Sequence, residues 1–196
     1  MKTLLTVSIC IPAYNEEKSI VRVLESCTSQ IEENFLIEKI VVISDGSSDK
    51  TVELAKSVKD PRIEVIEDGL RKGKSDRLND LNKYVSSDII VMFDADISVS
   101  SNMVVSYLVK PFLQDAEVGL VSGVSKPFPP ITFSEKVVNT GIEMWNDVKK
   151  TQKNSDLYLS EGQVRAMRKA FYKNVTFPRM SADEAFVFLA CMLQNF

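Results

Sequence analysis

Two carboxylates, Asp94 and Asp96, stand one residue apart directly after an apolar run, a spacing that suits metal chemistry. The run, residues 89–93, reads Ile-Ile-Val-Met-Phe and is typical of a buried strand in a parallel sheet. Ligands of open α/β sheets bind beyond the carboxyl ends of the strands, so both acids are expected in a crevice. Oxygen ligands without sulfur favour Mg²⁺ or Mn²⁺, ions that in turn suit a diphosphate. Taken alone, the pair is equally consistent with a solvated loop.

Strands and helices alternate through the first half of the chain, which predicts a parallel, doubly wound α/β sheet. Apolar runs predict strands at residues 7–11, 39–43, 63–66 and 89–93. Helical periodicity predicts helices at residues 16–30, 50–58 and 74–85. Asp49 is the predicted N-cap of the second helix. Right-handed crossovers place the loops that follow the strands on one rim. Residues 12–17, 44–50 and 94–98 are rich in Asp, Glu, Asn and Ser, so this rim is predicted to be functional.

The second half of the chain has weaker patterns and no internal repeat, so a single domain over residues 1–196 is predicted. Helices are predicted at residues 103–113 and 133–150 and from about Asp183 onward, with Ser181 as a possible cap, and strands at residues 118–124 and within 157–167. Trp145 lies on the long helix, where it fits either a core position or an aromatic platform for a ligand.

Composition excludes several classes of function. A net charge of −3 gives no electrostatic footprint for nucleic acid. The absence of histidine excludes Ser-His-Asp triads and His-ligated zinc within these residues. Cys10, Cys27 and Cys191 are far apart among apolar neighbours, which predicts core thiols in a reducing compartment. No apolar run approaches the roughly 20 residues of a membrane span, and the N-terminus lacks the pattern of a signal peptide. A cytoplasmic protein is therefore expected.

Four motifs follow one another along the chain: Ile-Pro-Ala-Tyr-Asn-Glu-Glu at residues 11–17, Ser-Asp-Gly-Ser-Ser-Asp-Lys-Thr at 44–51, Gly-Lys-Ser-Asp-Arg-Leu-Asn at 73–79 and Asp-Ala-Asp at 94–96. In this order they resemble the motifs of family 2 glycosyltransferases, the large inverting group with the GT-A fold. The resemblance is close from residue 5 to about residue 100 and weaker beyond, where Ser-Ala-Asp-Glu at 181–184 resembles the motif of the catalytic base. It implies a Rossmann-like α/β/α sandwich with a mainly parallel central sheet, a nucleotide-sugar-binding half (1–100) and an acceptor half (101–196).

The resemblance also implies which residues hold the nucleotide. Pro12, Ala13 and Tyr14 would border the base, and the Tyr14 ring could stack on it. Glu16 would reach the ribose, and Asp45 would accept a hydrogen bond from an N–H group of the base. The implied donor is a UDP- or GDP-sugar.

The remaining roles concern the diphosphate and the acceptor. Asp94 would touch the ribose or the metal shell, and Asp96 would hold Mn²⁺ or Mg²⁺ on the diphosphate. Lys74 is placed where it could add positive charge beside the phosphates. Asp183 would be the general base that deprotonates a saccharide or lipid-linked acceptor, with Glu184 as the alternative.

Two other functions fit the sequence less well. A non-catalytic nucleotide-sugar-binding module would keep the fold without turnover. A P-loop phosphohydrolase is suggested by Gly73-Lys74-Ser75, but only three residues separate Gly69 from Gly73, whereas a phosphate loop needs four. Members of the resembled family often continue past the base motif, and sequence beyond Phe196 would be the route to association with the cytoplasmic face of a membrane.

Overall fold

A computed structural model describes residues 4–124, 126–151, 163–179 and 183–194. In the helices over residues 133–151 and 183–193, some positions, including Trp145, Asp183 and Glu184, are described by their backbone alone. The strands are β1 (Leu5–Ala13), β2 (Phe35–Ser44), β3 (Ile63–Ile66), β4 (Ile89–Phe93), β5 (Leu120–Ser122) and β6 (Val164–Arg168). The α-helices are α1 (Ile20–Thr28), α2 (Thr51–Ser57), α3 (Lys74–Asp80), α4 (Val104–Gln114), α5 (Phe133–Thr151), α6 (Lys169–Tyr172) and α7 (Asp183–Leu193).

The six strands form one sheet in the order β3-β2-β1-β4-β6-β5. The first four positions of that order are parallel, with Ile9 opposite both Ile40 and Val91. β6 runs antiparallel to β4 and to β5. The carboxyl ends of β1, β2 and β4 therefore meet at one edge of the sheet, and the N-terminal end of β6 lies at the same edge.

Alternate residues of the central strands pack on opposite faces of the sheet, because side chains along a strand alternate in direction. In β4, Val91 and Phe93 belong to the core that α1, α2 and α4 cover, whereas Ile90 and Met92 belong to the core that α3, α6 and α7 cover. Apolar runs without alternation are what a strand buried on both faces requires. The fold is the predicted α/β/α sandwich with a mainly parallel sheet.

The predicted elements are all present where the structure describes them; β3 and β4 have the predicted bounds, and most other elements begin or end at different residues. The helix predicted from residue 16 begins at Ile20, because residues 16–19 form a turn in which the Glu16 carbonyl accepts hydrogen bonds from the Ser19 and Ile20 N–H groups. The helix predicted over 74–85 ends at Asp80 and continues as a 3-10 turn over residues 81–83. The strand predicted at 118–124 is reduced to Leu120–Ser122.

Two further predictions concern single side chains. Lys50, rather than Asp49, occupies the N-cap position of α2, and the Asp49 carboxylate instead accepts a hydrogen bond of 3.0 Å from the Thr51 N–H. Cys10, Cys27 and Cys191 are buried thiols, as predicted. Burial raises the pKa of both Cys10 and Cys27 to about 12, so these thiols stay protonated and unreactive at neutral pH. Within the described residues, no helix is long and apolar enough to cross a membrane.

Candidate active site

A cavity of about 310 Å³ opens at the sheet edge where β1, β2 and β4 end. Its size lies at the lower end of the range for small-molecule sites, roughly 300–1,000 Å³. It is lined by Pro12, Ala13, Tyr14, Glu16, Asp45, Arg71, Gly73, Lys74, Arg77, Asp94, Ala95 and Asp96. The structure thus brings together every residue that the sequence predicted for the base, the ribose, the phosphates and the metal. Arg71, Gly73, Arg77 and Ala95 are additions.

The loops after β1 and β2 are fixed to each other by hydrogen bonds. The Asp45 N–H donates to the Ala13 carbonyl at 2.8 Å, and the Glu16 N–H donates to Thr51 Oγ1 at 2.7 Å. Asn15 takes a left-handed conformation with φ 53°, which Asn tolerates better than most residues, and its Oδ1 accepts the Ser48 N–H at 2.8 Å. These hydrogen bonds fix the two loops that form one wall of the cavity.

The Asp45 carboxylate organises the loop that precedes α3. Its Oδ1 accepts the Lys72 N–H at 2.7 Å, the Gly73 N–H at 3.0 Å and the Arg77 Nε at 3.0 Å. Its Oδ2 is 3.0 Å from the Gly73 nitrogen, and the residue is 6% exposed. Asp45 therefore has a structural function in addition to the base contact expected from the sequence, and that contact stays a prediction.

Arg71 reaches the cavity because this loop folds back toward β1. Its guanidinium carbon lies 3.5 Å from the centre of the Tyr14 ring, and Tyr14 is 37% exposed. A guanidinium over an aromatic face is an attractive arrangement, and here it covers the ring that the sequence assigned to base stacking. The signal that could have identified Arg71 is the small basic cluster at residues 71–74.

The close approach of this loop to β2 requires a glycine at position 46. Gly46 has φ +67°, and a Cβ built there would lie 2.9 Å from the Leu70 carbonyl carbon and 3.0 Å from the Arg71 nitrogen. We expect Gly46→Ala to lower the free energy of unfolding by about 2–4 kcal/mol, because it adds a backbone clash to the left-handed penalty of about 1–2 kcal/mol.

Gly69→Ala is the matched control for this substitution. Gly69 has φ +70° but no atom within 4 Å of its built Cβ, so it should show the left-handed penalty alone. Urea unfolding of both variants measures the difference. Equal losses in the two would show that the loop does not press on Gly46.

The acidic pair after β4 lies on the other side of the cavity. Asp94 is 23% exposed at its side chain, Asp96 is exposed, and the Lys74 ammonium lies 2.8 Å from Asp94 Oδ1. The donors of this pair are carboxylate oxygens, which hard divalent cations prefer, and the Lys74 ammonium beside Asp94 shows that the pair attracts positive charge. The two residues therefore fit Mn²⁺ or Mg²⁺. In the described part of the chain no cluster of three or more acidic, His or Cys side chains is suited to a metal.

The predicted base motif is only partly described. α7 begins at Asp183, as predicted, but the side chains of Asp183 and Glu184 lie outside the described residues, as does Ser181. The segment that leads to them is attached to α3. Asn79 accepts the Phe177 N–H at 2.7 Å and donates to the Phe177 carbonyl at 2.9 Å, and Arg179 pairs with Asp76 at 2.8 Å.

The arrangement of the loop before α3 argues against a phosphate-binding P-loop. In such a loop the backbone amides surround a phosphate. Here the amides of Lys72 and Gly73 instead donate to the Asp45 carboxylate, which would repel an anion at the same place.

Solved structures share this architecture. The mannosyltransferase PcManGT from Pyrobaculum calidifontis, in complex with GDP-Man and Mn²⁺, superposes with a TM-score of 0.77 at 21% identity over 100% of this chain and 54% of its own. Glucosyl-3-phosphoglycerate synthase from Mycobacterium tuberculosis, in complex with Mn²⁺, UDP and phosphoglyceric acid, superposes with a TM-score of 0.71 at 21% identity over 97% of this chain and 65% of its own. These neighbours confirm the GT-A fold.

Sequence relatives point the same way. A probable glycosyltransferase of Bacillus subtilis, YdaM, is 34% identical over 63% of this chain and 30% of its own length. The 4,4'-diaponeurosporenoate glycosyltransferase of Staphylococcus haemolyticus is 26% identical over 87% of this chain and 46% of its own length. The chain thus spans less than half the length of these two curated relatives. The family model described as glycosyl transferase family 2 matches residues 8–176, and the chain belongs to that family.

Proposed function

We propose that this chain is the nucleotide-sugar-binding and catalytic part of an inverting glycosyltransferase. It would move a sugar from a UDP- or GDP-sugar to a hydroxyl of a saccharide or lipid-linked acceptor. The observation that carries the proposal is a single cavity with aromatic and hydrogen-bonding groups at one side, near Tyr14 and Asp45, and a lysine with two carboxylates at the other. The neighbours with bound GDP-Man or UDP and Mn²⁺ support the same ligand class.

The nucleoside would lie against the wall formed by the loops after β1 and β2. The backbone of Pro12 and Ala13 and the ring of Tyr14 border this space, and Glu16 stands beside it for the ribose. Glu16 is already oriented, because its Oε2 accepts the Ser19 hydroxyl at 2.7 Å. Asp45 offers Oδ2 to a base N–H, since most of its protein donors are on Oδ1.

The diphosphate would lie between Lys74 and the acidic pair. One divalent cation held by Asp94 and Asp96 would act as a Lewis acid toward the leaving diphosphate. Lys74 would add a second positive charge there, because its flexible stem lets the ammonium turn toward phosphate oxygens. Neutralising the leaving group is the main electrostatic requirement of the transfer, since negative charge develops on it in the transition state.

The acceptor hydroxyl would lose its proton to Asp183, with Glu184 as the neighbouring alternative. A single carboxylate base on the far side of the anomeric carbon, with no covalent intermediate, inverts the configuration. The attachment of residues 177–179 to α3 supports this placement, because it ties the segment before α7 to the helix that carries Lys74.

The test of this function is nucleotide binding that depends on metal. Asp96→Asn should weaken the binding of UDP or GDP with Mn²⁺ at least tenfold, about 1.4 kcal/mol, because an uncompensated diphosphate meets repulsion at the acidic pair. Isothermal titration gives the dissociation constants. Glu117→Gln, the same chemical change at an exposed position outside the cavity, is the matched control and should bind like the parent.

The outcomes separate the proposal from its rivals. Identical titration curves for Asp96→Asn and the parent with Mn²⁺ would remove the metal role. Binding of nucleotide sugars without turnover, across saccharide and lipid-linked acceptors, would favour a non-catalytic binding module of the same fold.

A further inference from the structure

We infer that Lys74 is a built-in counter-ion that holds Asp94 when no metal is bound and moves to the diphosphate when the donor arrives. Metal binding would then release the Lys74 ammonium to the diphosphate, and diphosphate binding would release Asp94 to the metal. This inference deepens the proposed function and rests on it for the identity of the diphosphate ligand. The ion pair, its place in the cavity and the other basic side chains around it are seen in the described residues and do not depend on the proposed function.

The ion pair joins the residue predicted for phosphate to a residue predicted for metal. Lys74 Nζ lies 2.8 Å from Asp94 Oδ1, with the two side chains 40% and 23% exposed. Both residues line the cavity. Asp96, the second acid, is exposed, and no basic side chain in the described part of the chain pairs with it. The ammonium therefore stands on one half of the oxygen pair that a divalent cation would use.

The other basic groups around the cavity are committed elsewhere. Arg77 is buried among Asp45, Asp68 and Asp80. Lys72 pairs with Asp68 and Asp80, and Arg71 lies on the Tyr14 ring. Lys74 is thus the basic side chain of the lining whose partner in the described structure is a carboxylate of the acidic pair.

Electrostatics makes this arrangement bistable. A divalent cation at Asp94 and Asp96 would meet an ammonium at short range, so the metal binds only as Lys74 leaves Asp94. A diphosphate offers the ammonium another anion within the same cavity, and a lysine stem is flexible enough to exchange one for the other. Each ligand then raises the affinity of the other by the same factor, as linkage requires.

The decisive experiment is titration with Mn²⁺ alone, in which the electron paramagnetic resonance signal of the free ion measures the unbound metal. Lys74→Met should bind Mn²⁺ about fivefold more tightly than the parent, the factor expected from loss of one partly exposed ion pair. Lys72→Met is the matched control, because it removes the same charge two residues away from a side chain that pairs with Asp68 and Asp80. It should leave Mn²⁺ affinity within about twofold of the parent.

A second titration with saturating UDP, and another with saturating GDP, measures the coupling. In the parent, nucleotide should raise Mn²⁺ affinity strongly; in Lys74→Met this enhancement should fall at least fivefold, because one route of coupling is gone. The inference is overturned if Lys74→Met binds Mn²⁺ alone no more tightly than the parent, if Lys72→Met gains as much, or if neither protein binds Mn²⁺.

The proposed function fails by a different result. If the parent binds neither nucleotide at any Mn²⁺ concentration, the ligand assignment is wrong, whereas the titration with metal alone still decides the role of Lys74.

Discussion

Asp183→Asn is expected to lower kcat by about 10²–10⁴-fold, the usual contribution of a general base. The dissociation constant of the nucleotide sugar should stay nearly unchanged, because the proposed base would act on the acceptor, whereas the proposed donor site lies at the ends of β1, β2 and β4. Asn keeps the size of the side chain and removes only its ability to take a proton. Release of nucleoside diphosphate in the presence of acceptor measures turnover, and titration with the donor alone measures binding.

Glu184→Gln is the comparison that assigns the base. Full activity in Asp183→Asn together with loss in Glu184→Gln would place the base at Glu184. Activity in both variants would mean that Asp183 and Glu184 only favour the start of α7, through their interaction with the helix dipole, and that the base lies elsewhere. A parallel loss of donor affinity in Asp183→Asn would count against an acceptor-side role.

The residues at the ends of β1, β2 and β4 could be predicted to lie together because their positions follow directly from local patterns. Asp94 and Asp96 come straight after β4, and Tyr14 and Asp45 come at the ends of β1 and β2. In a parallel sheet those ends converge, so alternation of strands and helices was enough to bring the four side chains to one rim. No knowledge of side-chain packing was needed.

Residues whose position depends on loop packing could not be found in this way. Arg71 reaches Tyr14 only because the chain at Leu70 lies against Gly46, and this contact joins segments more than twenty residues apart. A basic residue between two glycines, here Gly69 and Gly73, is equally typical of a solvated loop. Its place in the cavity follows from the three-dimensional path of the loop that Asp45 holds.

The sequence predicted a strand at residues 118–124 and another within 157–167, but no sequence pattern indicated their antiparallel pairing or their order in the sheet. β6 lies between β4 and β5, and its five residues, Val-Arg-Ala-Met-Arg, include Arg165, which is fully buried. Charged residues interrupt the apolar run by which a central strand is recognised. The acceptor half was accordingly predicted with less regular elements, and strand order within it had no local signal.

Arg77→Met is expected to lower the free energy of unfolding by about 3–5 kcal/mol, the usual cost of removing one partner of a buried ion pair. Arg77 is 2% exposed, and its guanidinium lies 3.0 Å from Asp45 Oδ1 and 2.7 Å from Asp68 Oδ1. Met fills a similar volume but leaves the buried Asp45 carboxylate with backbone donors alone. Urea unfolding at pH 7 measures the loss.

Arg62→Met is the matched control for this variant. Arg62 also pairs with two acids, Asp60 and Glu32, but its side chain is 24% exposed and lies outside the cavity. Its removal should cost only about 1 kcal/mol, because solvent screens these partly exposed ion pairs more than it screens those of Arg77. Nucleotide binding should weaken in Arg77→Met, since the loop that carries Arg71 loses an anchor, and should be unchanged in Arg62→Met.

The pH dependence of unfolding gives an independent measure of the same interaction. Hydrogen bonds from Arg77 and then from Lys72 hold the pKa of Asp68 far below its usual range. A lowered folded-state pKa stabilises the protein above the unfolded value of about 3.9, and the stabilisation is lost as the pH falls below it. The parent should therefore lose stability between about pH 5 and pH 2, as its unfolded state takes up a proton that the folded state does not.

In Arg77→Met this acid-side slope should be shallower, because the folded-state pKa of Asp68 moves back toward its usual value. If the free energy of unfolding of Arg77→Met lies within about 1 kcal/mol of the parent's and the acid-side slope is unchanged, the ion pairs of Arg77 with Asp45 and Asp68 do not anchor this loop.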